Sequence, residues 1–84
     1  MKNKIMKLNV ISLKGVEFTG DVAGFNVKTT SGEITILEHH RPLITILKNG
    51  TAYIMQHDGS GLPVEINSGF LEMSPDNELN VLVN

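Results

Sequence analysis

Apolar and polar residues alternate through most of this chain. Between Val22 and Thr30, Phe25, Val27 and Thr29 fall on one side of an extended backbone, with Asn26 and Lys28 on the other. The same period of two predicts strands over 7–12, 16–19, 22–30, 33–37, 43–47, 51–56, 62–67, 69–73 and 79–83. In the sixth of these, Ala52, Ile54 and Gln56 share one face and Tyr53 and Met55 the other. A helical i, i+3, i+4, i+7 pattern is almost absent. Turn chemistry separates the runs: Lys14-Gly15, then His57-Asp58-Gly59-Ser60-Gly61 with two glycines open to positive φ, then Ser74-Pro75-Asp76-Asn77.

Short strands at this rhythm predict an all-β fold, a flattened β-sandwich or barrel of about eight to ten short, mostly antiparallel strands. A flat sheet would leave an apolar face in water, so two packed layers are expected. The aromatics Phe18, Phe25, Tyr53 and Phe70 are expected in the core, with Leu37, Leu43 and Leu47. Gly32 and Gly50 are expected to supply positive φ at turns. The runs 34–37 and 43–47 flank a charged break, Glu38-His39-His40-Arg41-Pro42, whose proline cannot continue a central strand.

At 84 residues the chain has room for one domain, 1–84, with a modest core. It has no cysteine, so disulfides and thiolate metal sites are excluded. A formal charge of −2 argues against a nucleic-acid partner, which calls for a basic face. The N-terminal Met1-Lys2-Asn3-Lys4-Ile5-Met6-Lys7 is positive but precedes no apolar signal region, and no run is long enough to span a membrane. A soluble chain is expected, meeting a membrane only indirectly, through a partner.

The charged break invites catalytic and metal readings. On an extended backbone His39 and His40 point to opposite faces, and His57 lies in a separate hairpin without a companion, so no metal site is expected. A metal-assisted hydrolase would need His39 or His40 to converge with His57 and a carboxylate. Ser31, Ser60 and Ser74 sit in turn compositions, as do Asp21, Asp58 and Asp76, so no nucleophile triad emerges and no enzyme is expected. Gly59-Ser60-Gly61 precedes an extended run instead of a helix, so it is a hairpin and not a phosphate loop; no cofactor is expected.

The pattern Gly32-Glu33-Ile34-x-Ile36-Leu37-x-x-His40-x-Pro42-Leu43-Ile44-Thr45-x-Leu47-x-x-Gly50 resembles the epsilon subunit of F-type ATP synthase, called delta in organelles. That family carries G-E-x-x-I-L-P-x-H-A-P-L-x-x-x-L-x-x-G at this point. Ser68-Gly69-Phe70-Leu71-Glu72-Met73 followed by 79–83 is similar to a second family block. Leu8-Asn9-Val10-Ile11-Ser12 with Phe18-Thr19-Gly20-Asp21-Val22 is similar to an upstream one. Glu38, His39 and Arg41 stand where the family has proline, a small residue and alanine.

The resemblance implies the family's N-terminal β-sandwich, with the C-terminal helical hairpin absent. It implies a non-catalytic rotor part of the central stalk, with the gamma subunit and the polar loops of the c-ring as partners. Its place would be peripheral, on the cytoplasmic face of the bacterial membrane, and its task to couple ion-driven rotation to ATP synthesis. Ser31, Glu33, Glu38, His39, His40, Arg41 and Pro42 are expected to form a rim facing the c-ring. The alternative is a small β-sandwich binding carbohydrate or peptide, which predicts a concave, aromatic-lined groove.

Overall fold

The computed structural model describes residues 5–84, and these form nine strands with no helix. They are β1 (Met6–Ser12), β2 (Gly15–Val22), β3 (Gly24–Thr29), β4 (Gly32–Leu37), β5 (Leu43–Leu47), β6 (Gly50–Met55), β7 (Gly61–Ile66), β8 (Gly69–Met73) and β9 (Glu78–Val83). One layer runs β2-β1-β9-β8-β5; the other runs β4-β3-β6-β7. Every pairing is antiparallel except β1 with β9, which sets the first strand parallel to the last in the middle of its layer. The predicted run 22–30 divides: Val22 ends β2, and β3 starts at Gly24.

The layers join where β3 meets β5. Thr29 pairs with Leu47, the amide of Thr30 donates to Ile46 O at 3.1 Å, and the amide of Lys48 donates to Lys28 O at 2.9 Å. Thr29 is buried, and its hydroxyl donates to Gly32 O at 2.7 Å while accepting from the amide of Ser31. A buried hydroxyl satisfied twice costs little, so the tight β3–β4 turn and the junction share one anchor. The far edges, β2 and β7, pair with one neighbour each, so the sheet curls without closing.

Period two on each strand fills the space between the layers. Met6, Leu8 and Val10 of β1 face Phe25 and Val27 of β3, Ile54 of β6 and their neighbours, all 0–1% exposed. Each such side chain contributes roughly 1.5–3 kcal/mol by leaving water. Among the described residues no buried side-chain nitrogen or oxygen lacks a partner. Of the expected core, Phe25 and Leu47 are buried, and Phe18 and Leu43 pack against the core from its margin. Leu37, Tyr53 and Phe70 are not core: they are 52%, 46% and 45% exposed, because strand parity turns them outward.

Gly32 and Gly50 have φ of 124° and 150°, as the turns demanded. Gly69 is the most constrained glycine. Its φ is 153°, and a Cβ there would lie 2.0 Å from the carbonyl oxygen of Leu82 on the neighbouring strand. Gly69→Ala is expected to destabilise the domain by about 2–4 kcal/mol in urea unfolding, through strain and displacement of β9. Gly59→Ala, with φ of 91° but open space around it, is expected to cost only about 1 kcal/mol.

Candidate functional site

Strand register assembles three rows on the outer face of the β2-β1-β9-β8-β5 layer. Nearest the β1–β2 turn, Ile46 of β5 lies beside Phe70 of β8, then Leu82 of β9, Ile11 of β1 and Val16 of β2. These five side chains are 36–65% exposed, and Ile44, 74% exposed, extends the row along β5. Soluble monomers rarely show contiguous apolar patches above roughly 300–600 Å² without using them to bind something.

The middle row is polar and hydrogen-bonded across four strands. The hydroxyl of Thr19 donates to Asn9 Oδ1 at 2.7 Å, Asn9 Nδ2 to Asn80 Oδ1 at 3.0 Å, and Asn80 Nδ2 to Glu72 Oε1 at 3.4 Å. The third row is charged: Lys7 stands opposite Asp21 on one side and Glu78 on the other. The face thus grades from apolar to amide to charged along the strand direction. Cross-strand pairs of this kind each contribute roughly 0.2–1 kcal/mol, so they order the surface without dominating stability.

The seven expected rim residues do not share one surface. Ser31 and Glu33 lie at the β3–β4 turn, both exposed, and Asn26 Nδ2 donates to Glu33 Oε2 at 3.2 Å. Glu38, His39, His40, Arg41 and Pro42 form the β4–β5 loop at the other end of β4, roughly 20 Å away at about 3.3 Å per residue. A run contiguous in sequence is divided because a strand passes through its middle.

The β4–β5 loop is a turn and not extended backbone. The amide of His40 donates to Leu37 O at 3.1 Å, and His39 sits in the left-handed region with φ of 62°. The His39 amide donates to Asn77 Oδ1 at 2.7 Å. Asn77, 1% exposed and also left-handed with φ of 61°, accepts from the amide of Lys7 through its own carbonyl. Asparagine tolerates this region better than most residues, which suits it to join the β8–β9 turn, the β4–β5 loop and the start of β1.

His57, expected to be without a companion, has Nε2 4.0 Å from Glu38 Oε1, so the β6–β7 turn approaches the β4–β5 loop. The His40 ring turns back on its own loop, with Nδ1 2.8 Å from the carbonyl of Arg41; a carbonyl only accepts, so Nδ1 carries the hydrogen. No group of three or more His, Asp or Glu among the described residues is placed to hold a metal. The aromatics that could line a carbohydrate groove are on opposite outer faces, Tyr53 on β6 and Phe70 on β8.

In the β6–β7 turn the amide and hydroxyl of Ser60 both donate to Asp58 Oδ1, at 2.8 and 2.6 Å, and hold its carboxyl below the usual aspartate value. A depressed folded value means that this contribution is present at neutral pH and is lost as pH falls through it. Ser60→Ala, which keeps only the backbone donor, is expected to raise the Asp58 midpoint partway to the ordinary value in an NMR titration. Asn77→Ala should destabilise the domain by about 2–3 kcal/mol and speed hydrogen exchange at the His39 amide; Asn77→Gly, without the left-handed strain, should cost less.

The nine-stranded arrangement has counterparts among known proteins. A family model described as the β-sandwich domain of the ATP synthase delta/epsilon chain matches residues 5–84. The ATP synthase epsilon chain of Aquifex aeolicus is 35% identical over 75 residues, 89% of this chain and 55% of that one. That of Hydrogenobaculum sp. is 33% identical over 72 residues, 86% of this chain and 52% of that one. The chain therefore spans about half the length of these relatives. Among solved structures, a chain of the Euglena gracilis mitochondrial ATP synthase, in its OSCP/F1/c-ring assembly, superposes with a TM-score of 0.91 at 17% identity, over 99% of this chain and 52% of that one. A chain from the Tetrahymena thermophila central stalk and c-ring gives 0.82 at 17% identity, over 99% of this chain and 66% of that one. With the family match covering every described residue and the same fold recurring in these assemblies, the chain belongs to the ATP synthase delta/epsilon family, as its β-sandwich domain.

Proposed function

We propose that this domain is a non-catalytic rotor element that fastens the gamma subunit to the c-ring, so that rotation driven by protons or sodium ions reaches the catalytic head. The observation that carries the reading is the apolar row Ile46–Phe70–Leu82–Ile11–Val16 on a rigid two-layered body. An exposed apolar row, bordered by amides and then charges, has the core-and-rim arrangement of a protein interface. It is assigned to gamma. Torque passes through a small domain only if the domain does not yield, and a core built from both layers resists shear between them.

The c-ring contact is assigned to the end carrying Ser31 and Glu33, whose side chains are exposed on the β3–β4 turn. At the opposite end, the polar groups of Glu38, His39 and His40 face His57, Asn77 and their own loop. The domain would work peripherally at the cytoplasmic face of a bacterial membrane, held there by the complex. A carbohydrate or peptide module has no such support, since the exposed aromatics Tyr53 and Phe70 lie on opposite outer faces.

Calorimetric titration with the gamma subunit of the same organism tests the reading. The folded domain is expected to bind, and Ile46→Asp combined with Phe70→Asp to weaken binding at least about 100-fold. Both side chains are exposed, so the melting temperature should change little. Absence of binding by the unaltered domain would refute the rotor reading. In the assembled enzyme, Glu33→Lys should impair coupling of rotation to synthesis more than Glu38→Lys; the reverse order would move the ring contact to the β4–β5 loop.

A further inference from the structure

We propose that Asn49–Gly50 is a self-modifying site, at which Asn49 of the folded protein converts to aspartate and isoaspartate with the Lys28 ammonium promoting the reaction. Conversion begins when the backbone nitrogen of the following residue attacks the asparagine side-chain carbon. It therefore needs an unhindered neighbour and an asparagine side-chain amide not held by hydrogen bonds.

The chain has eight asparagines, and the fold leaves few of them competent. Asn9, Asn26 and Asn80 precede Val10, Val27 and Val81, whose branched side chains shield the attacking nitrogen. Their amide nitrogens also donate cross-strand hydrogen bonds, to Asn80, to Thr35 and Glu33, and to Glu72. Asn77 is buried and holds the His39 amide. Asn3 lies outside the described residues. Asn67 is exposed, but serine follows it.

Asn49 differs on each count. It is exposed in the two-residue connection between β5 and β6, its amide makes no hydrogen bond among the described residues, and glycine follows it. The Lys28 side chain crosses this glycine: its Cδ and Nζ lie 3.1 and 3.6 Å from where a Cβ on Gly50 would be. The one ion pair among the described residues is His57–Glu38, so no carboxylate lies within 4.0 Å to neutralise the Lys28 ammonium.

In the reaction the Gly50 nitrogen gives its proton to solvent and bonds to Asn49 Cγ. The Cγ–Nδ2 bond breaks, and ammonia leaves with a proton from water. The resulting five-membered imide takes up one water at either carbonyl and opens to aspartate or isoaspartate. One water is consumed and one ammonia released, with no oxidant or reductant. Negative charge on the attacking nitrogen and on the tetrahedral oxygen is what a nearby ammonium stabilises.

Two consequences follow. A carboxylate appears near Lys28, adding one negative charge at the end of the sandwich that carries Ser31 and Glu33. The isoaspartyl form also lengthens the main chain by one methylene in the short link between the layers. Relevance to ring contact rests on the rotor reading; the chemistry does not.

The test is incubation of the folded full chain between pH 7 and 9, followed by isoelectric focusing and peptide mapping by mass spectrometry. An acidic species mapping to Asn49 is expected, forming faster at higher pH and absent in Asn49→Gln. Lys28→Met should slow it about fivefold, what one charge roughly 4 Å away in water is worth, and Lys28→Arg should restore it. Conversion at Asn67 before Asn49, or at Asn49 only in urea, would overturn the proposal. An unchanged rate in Lys28→Met would remove Lys28 from it. Neither result bears on gamma binding, so failure here and failure of the rotor reading are separable.

Discussion

Burial of one row of side chains from each layer is the interaction on which the rest of this domain depends. Nine short strands, with no helix among the described residues to cover them, exclude water by folding one half of the sheet over the other. The junction at Thr29 and Leu47 makes this fold, and Met6, Leu8, Phe25, Ile54, Leu71 and Val81 fill the space it encloses. Because side chains alternate strictly, the choice of inner row fixes the outer one. Ile46, Phe70 and Leu82 are outside because Leu47, Leu71 and Val81 are inside. The outer apolar row is thus a by-product of core registry.

The outer face also confines its apolar side chains to one row. Its amide row, Thr19–Asn9–Asn80–Glu72, is satisfied internally, and the charged row around Lys7 lies beyond it. A partner can meet the apolar row without burying unpaired charge. The two ends of the sandwich differ in kind. At one, two left-handed residues, His39 and Asn77, are tied to each other by a single hydrogen bond and lock three chain segments together. At the other, short turns display Ser31, Glu33 and Asn49 to solvent.

The departures from family pattern at Glu38, His39 and Arg41 acquire a physical account in part. Glu38 faces His57 across two loops, and His39 takes a left-handed conformation that its amide bond to Asn77 supports. Glu38 thus links the β4–β5 loop to the β6–β7 turn, while the His39 bond is made by its backbone. Arg41 is exposed, and nothing in the structure explains it.

The strands were legible in the sequence because period two and turn chemistry are local properties. Period two, with Pro42 before 43–47 and Ser74 after 69–73, gives the bounds that Leu43–Leu47 and Gly69–Met73 have in the structure. The fold family was legible too, and Gly32 and Gly50 of its motif sit where φ is positive. What alternation cannot tell is which of two faces turns inward when both are apolar: 43–47 reads Leu-Ile-Thr-Ile-Leu, and Leu37, Tyr53 and Phe70 were placed inside for their size. The division of Ser31 to Pro42 between two ends was invisible for a related reason, since proximity in sequence along a strand means separation in space. Only the tertiary structure brings Ile11, Phe70 and Leu82 side by side, and Asn9 next to Asn80. Those contacts arise from pairing between strands far apart in the chain, and no local pattern encodes that register.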